Sequence, residues 1–95
     1  MTKIIDFAEF KKAKTPLDEV YQAKINTMDR NALLFELLKF EEERDFGMTK
    51  GLLIRGIILF TDLYKKSEYG EFKEFCRTYK KHLELELAVE LGTYK

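Results

Sequence analysis

Apolar residues recur at helical spacing along most of the chain, and four segments carry this pattern. In the first segment, Thr15 and Pro16 precede apolar residues at Leu17, Val20, Tyr21, Ile25 and Met28. Thr15 can cap a helix, Pro16 suits its first position, and acidic residues follow in the first turn. The pattern therefore predicts a helix over residues 16–27 with a single apolar stripe.

The second segment, residues 29–46, is apolar on more than one side. It begins at Asp29, a residue type that caps helices, and it ends before Gly47, which can terminate a helix. Its apolar residues are Leu33, Leu34, Phe35, Leu37, Leu38 and Phe40. Because these positions spread around the helix, we expect more than one of its sides to be buried.

The third segment, residues 49–66, is the most apolar part of the chain. Thr49 can cap it, and its apolar side chains cover nearly the whole circumference of a helix. A helix of this kind must be buried all round, so we expect it to be central or to lie at an interface. Gly51 and Gly56 within it predict close approach to neighbouring helices.

The fourth segment, residues 68–91, carries two competing patterns. Ser67 can cap a helix at its start, and Gly92 can terminate one. Leucine and glutamate alternate from residue 83, which is the period of a strand. Both residue types are strong helix formers and glutamate is rare in strands, so residues 83–91 are predicted to continue the helix.

Together these segments predict an all-α fold, a compact bundle of about four helices over residues 15–95. Residues 1–14 form a short N-terminal leader, which could be a short helix or an extended arm. A chain of 95 residues is long enough for one core. It has one cysteine, no secretory signal and no apolar run long enough to span a bilayer, so we expect a cytoplasmic protein that does not bind membranes.

The residues that usually carry chemistry are few and scattered. Cys76 and His82 lie six residues apart, too far to pair within one helix, and Cys76 sits among aromatic residues where a buried thiol is the ordinary outcome. His82 can pair with Glu86 one turn later. The sequence lacks metal-ligand spacings and glycine-rich phosphate loops, so no enzyme activity, metal or cofactor is predicted.

The surplus of apolar helix surface instead predicts a non-enzymatic protein-interaction or regulatory module that forms a homodimer and binds a protein partner. The candidate interface residues lie on the third and fourth helices and are Ile54, Ile57, Ile58, Leu83, Leu87 and Leu91.

An alternative is a transcriptional regulator that associates with nucleic acid. It would use a basic stripe on the last helix, formed by Lys73, Arg77, Lys80 and Lys81. The 17 basic and 17 acidic residues balance, and ion pairs such as Glu74 with Arg77 account for part of the stripe. Residues 37–60 outline a helix-turn-helix, but the presumed recognition helix offers only two basic side chains, so a nucleic-acid partner is disfavoured.

Overall fold

The computed structural model describes residues 7–68 and 70–92, and helices form nearly all of this part of the chain. They are α1 (Phe7–Ala13), α2 (Pro16–Asn26), α3 (Arg30–Asp45), α4 (Lys50–Lys66) and α5 (Glu71–Glu90). The all-α prediction is confirmed, and its four segments correspond to α2 through α5. Residues 83–90 are helical, so the strand alternative is wrong there. The fifth helix, α1, lies in the leader, whose residues 1–6 are outside the described part of the chain.

Three predicted caps set the starts of α2, α3 and α4. Thr15 and Asp18 form a capping box, in which the Asp18 N–H donates to Thr15 Oγ1 at 3.3 Å and the Thr15 N–H donates to Asp18 Oδ2 at 2.9 Å. Asp29 Oδ1 accepts from the Ala32 N–H at 2.8 Å, and Thr49 Oγ1 accepts from the Leu52 N–H at 3.1 Å. These bonds satisfy amide groups that the first turn leaves without partners.

The predicted cap at Ser67 is wrong. Ser67 ends α4 instead, since its N–H donates to Leu63 O at 3.0 Å. Helix α5 begins at Glu71, and its N-cap is Gly70, which has a φ of 140° and no side chain with which to cap. The hydroxyl of Ser67 is buried without a hydrogen-bond partner in the described part of the chain, and Ser67 lies three residues before the N-cap position of α5.

Helix α4 is central, as its apolar circumference predicted. It packs against α2, α3 and α5, and most of its side chains are buried. A Cβ at Gly56 would lie 2.6 Å from Phe40 Cε1 and 2.8 Å from Leu83 Cδ1, which confirms close approach at this glycine. Gly51 is exposed, and a Cβ there would lie 4.0 Å from Thr49 Oγ1, its nearest neighbour. The prediction of close helix approach is therefore wrong at Gly51.

Lys66 joins the end of α4 to the end of α2. Its Nζ lies 2.8 Å from Asp62 Oδ2 one turn earlier, and it also donates to the main-chain carbonyls of Asn26, at 3.2 Å, and of Met28. Asp62 is buried, so the ammonium compensates a carboxylate removed from water. The same ammonium caps carbonyls at the C-terminus of α2, where a positive charge is favourable.

Candidate protein-interaction site

The side chains of the predicted interface lie in the core of the single chain. Ile54, Ile57, Ile58, Leu83 and Leu87 are all buried, and Leu91 is half-buried and packs against this core. A partner could contact them only if the helices of one chain separated. The interface at these residues stays a prediction, whereas the apolar surface that is open to a partner consists of other side chains.

Helix α3 and its C-cap present an apolar surface that the described part of the chain leaves exposed. Phe35, Leu38 and the C-cap residue Phe46 are 68%, 56% and 95% exposed, respectively. Phe35, Leu38, Glu42 and Phe46 follow one another at intervals of three, four and four residues. This spacing places all four on one outward side of a helix. We call these four residues the α3 stripe. A further acidic side chain, Asp45, is exposed beside it.

The opposite side of α3 packs against the core through Leu33 and Phe40, which are both buried. The ring of Phe40 lies edge-on to that of Phe60 on α4, at a centroid distance of 5.8 Å. The apolar residues of α3 thus divide between two sides, as the sequence predicted. Only the side toward α4 is covered within the described chain.

A groove of about 620 Å³ lies between α2 and the first turns of α4. We call it the basic groove. Its apolar lining includes Leu17 and Val20, which are 80% and 67% exposed, and Ile54 at the base. The basic side chains that line it are Lys24, Lys50 and Arg55. An apolar surface that is edged by polar groups is typical of a binding groove.

The carboxylates near the basic groove leave its positive charge only partly compensated. Asp18 lines the groove, but its Oδ2 is occupied by the capping box with Thr15. Lys24 Nζ lies 3.6 Å from Glu36 Oε1, and Arg55 Nη1 lies 3.3 Å from Glu43 Oε2, both on α3. In the described part of the chain, no carboxylate lies within 4.0 Å of Lys50 Nζ. Of the three cations, Lys50 is therefore the one open to a ligand that carries negative charge.

Glu36 joins α2 to α3 beside the groove. It is buried, it accepts a hydrogen bond from Tyr21 OH at 3.1 Å, and its other oxygen lies 3.6 Å from Lys24 Nζ and 3.5 Å from Lys39 Nζ. Burial, together with the nearby Glu36 charge, raises the pKa of the Tyr21 hydroxyl. The hydroxyl thus stays protonated and holds the two helices at a fixed spacing along the groove.

The basic stripe on α5 is partly occupied by contacts within the chain. Arg77 Nη2 lies 2.8 Å from Glu74 Oε2, which confirms the predicted ion pair. Lys73 Nζ lies 4.6 Å from the centre of the Tyr64 ring and 3.5 Å from Ser67 O. Lys80 and Lys81 are half-buried. The charges of the basic stripe are therefore less accessible to a phosphate backbone than the sequence alone indicates.

Four stacked rings run along α5, on the side of the helix roughly opposite to the basic stripe. Phe72, Phe75, Tyr79 and His82 lie at ring-centroid distances of 6.3, 5.7 and 6.2 Å in turn. Arg44 of α3 donates to Tyr79 OH at 2.7 Å and thereby joins α3 to α5. Sequence reasoning missed this role, although the spacing of the rings by three and four residues was visible. Within the chain, these contacts fix the orientation of α3.

The groups that could carry chemistry are occupied or buried. His82 Nε2 lies 3.0 Å from Glu86 Oε1, as predicted. Cys76 is buried, and burial raises the pKa of its thiol, which lowers its reactivity. Over residues 7–68 and 70–92, the structure brings together no group of three metal-ligating side chains.

Comparison of the chain with protein-family models, curated proteins and solved structures finds no match. Of the helices that the structure describes, none is both long enough and apolar enough to cross a bilayer.

Proposed function

We propose that this protein is a non-enzymatic interaction module of the cytoplasm, which binds a protein partner and associates with itself through the α3 stripe. The observation that carries the proposal is the exposure of Phe35, Leu38 and Phe46 on one side of a single helix and its cap. Scattered exposed apolar residues are normal in proteins, but an aligned series of large ones marks an interaction surface.

The spacing of the stripe suits recognition of a helix by a groove. An amphipathic helix enters an apolar groove with anchors on one side, commonly at i, i+3 and i+7; the stripe has apolar residues at the first two of these positions, Phe35 and Leu38, has Glu42 at the third, and adds Phe46 one turn later. Aromatic side chains such as Phe35 and Phe46 bury a large area, and a few such anchors commonly supply most of the binding energy of an interface. Glu42 lies within the stripe and adds charge that selects among partners.

Affinity capture from the native lysate tests this proposal. The bait is compared with a Phe35→Glu, Leu38→Glu double variant, and mass spectrometry identifies the retained proteins. Val89→Glu on α5 is the matched control, because Val89 is 59% exposed and lies outside the stripe. We expect the wild-type and control baits to retain the same protein, a second copy included, and the stripe variant to lose it. Equal retention by all three baits would refute the role of the stripe.

A nuclease-treated arm of the same experiment tests the alternative partner, nucleic acid bound by Lys73, Arg77, Lys80 and Lys81. Binding of phosphates by these side chains would release counterions and would weaken steeply with salt. We expect retention that resists nuclease. The nucleic-acid alternative would be favoured if the captured proteins were lost after nuclease treatment and were also lost from an Arg77→Ala, Lys80→Ala double variant.

A further inference from the structure

We propose that the α3 stripe of one chain docks in the basic groove of a second copy, and that two such contacts close a two-fold dimer. This inference rests on the proposed function and identifies both the partner and the receiving surface. Both surfaces belong to this chain, and they complement each other in apolar character, in charge and in size.

Charge complementarity selects a second copy as the occupant. The groove carries Lys24, Lys50 and Arg55, of which Lys24 and Arg55 already pair with Glu36 and Glu43 of their own chain, so Lys50 is the cation open to an acid of a second copy. The stripe carries Glu42, with Asp45 beside it, and neither has a basic side chain within 4.0 Å in the part of the chain that the structure describes. Docking would place these acids near the basic side chains, Lys50 above all, whereas Asp18 is the one acidic residue among those that line the groove.

The size of the groove suits the most exposed residue of the stripe. Phe46 is 95% exposed, and the groove of about 620 Å³ is well above the roughly 150 Å³ cavity that holds a benzene ring. Leu17, Val20 and Ile54 supply apolar contacts for the ring. Phe46 and Leu38 are eight residues apart, about 12 Å along a helix, so Leu38 would contact the outer part of the groove.

The relative position of the two surfaces permits closure. Glu36 and Glu43 of α3 lie beside the groove, because they contact Lys24 and Arg55, respectively. Helical geometry places Glu43 and Phe46 about 60° apart around α3, so the stripe and the groove lie on neighbouring faces. One two-fold axis can therefore bury both surfaces of each chain. Surfaces on opposite faces would instead build a ring or an open filament.

Two charge variants test the contact between chains. Phe46→Lys places a positive charge where the ring enters the basic groove, and Leu17→Glu places a negative charge where the acidic stripe enters. Both side chains are highly exposed, so neither change disturbs the core. We expect wild type and the control Val89→Lys to be dimers in light scattering, and each charge variant to dimerise at least about 30-fold more weakly.

Mixing the two variants gives the decisive measurement. In a mixed dimer one contact joins the introduced lysine to the introduced glutamate across the interface, and the other keeps the original Phe46 and Leu17. We therefore expect the mixture to restore a dimer of one chain of each variant, seen by native mass spectrometry. Failure of the mixture to pair would overturn the inference, even if each variant alone is monomeric.

The remaining outcomes separate this inference from the proposed function. A dimer that is weakened by Phe46→Lys and retained by Leu17→Glu would keep the stripe as an interface but overturn the groove as its receptor. A wild-type chain that is monomeric at every concentration would overturn the dimer. In that case the proposed function would still hold if capture of another protein depended on Phe35 and Leu38.

Discussion

Replacing Gly51 or Gly56 of α4 with alanine should change the free energy of unfolding in opposite directions. Gly56 and Gly51 lie in the same helix, and replacing either removes backbone freedom that glycine has in the unfolded chain. In a helix this replacement contributes about 0.5–1 kcal/mol of stability. Gly51 is exposed and its Cβ would meet nothing closer than 4.0 Å, so Gly51→Ala should retain that gain.

At Gly56 the added methyl group meets the core. Its Cβ would lie 2.6 and 2.9 Å from two ring atoms of Phe40 and 2.8 Å from Leu83 Cδ1. The Phe40 ring cannot turn aside easily, because it packs edge-on to Phe60 and Tyr79. Overpacking of this kind costs about 1–3 kcal/mol, which exceeds the helix gain. We therefore expect Gly56→Ala to be destabilised by up to about 2 kcal/mol.

Urea unfolding followed by circular dichroism measures both variants. All chains are compared at one concentration, since self-association would make the apparent stability depend on it. At a slope of about 1–3 kcal/mol per molar urea, a difference of about 1–3 kcal/mol between the variants gives clearly separated midpoints. Equal midpoints for the two variants would show that the Phe40 and Leu83 side chains move away from the added methyl group at little cost, and would refute close packing at Gly56.

Two further predictions concern buried ionisable groups. Lys66→Met should lower the free energy of unfolding by about 3 kcal/mol in urea, because Asp62 would stay buried without its cation. Adding Asp62→Leu to this variant should recover part of the loss, and no recovery would contradict the pairing of Lys66 with Asp62. Burial raises the pKa of the Cys76 thiol, so above about pH 8.5 the unfolded chain loses a proton that the folded chain keeps. The free energy of unfolding should therefore fall more between about pH 7 and pH 10 in wild type than in Cys76→Ala, and identical pH profiles would contradict this account.

The starts of the helices were predictable because capping is local. Thr15, Asp29 and Thr49 each bond an amide three residues later, so a short stretch of sequence contains the whole interaction. Ser67 shows where this reasoning fails. Its hydroxyl is a suitable cap by residue type, but Ser67 ends α4, and α5 begins only at Glu71 with Gly70 as its N-cap.

The candidate site was less predictable because it depends on which sides of the helices meet. The sequence indicated that α4 is apolar all round, but it could not decide between a core and an interface for Ile54 or Ile58. The structure places both in the core of one chain. The basic groove combines Lys24 of α2 with Lys50 and Arg55 of α4, and no spacing along the chain brings these residues together.

Helix α3 carries two sets of large apolar side chains, which its sequence keeps on separate sides. Leu33 and Phe40 bury their side chains against the core, while Phe35 and Leu38 between them face outward. Burying a large apolar side chain contributes about 1.5–3 kcal/mol, so loss at the inner positions reduces the stability of the fold, and in the proposed dimer loss at the outer positions would reduce association. A two-fold interface uses each outer contact twice, so a few moderately favourable side chains can hold two chains together while leaving the single chain folded.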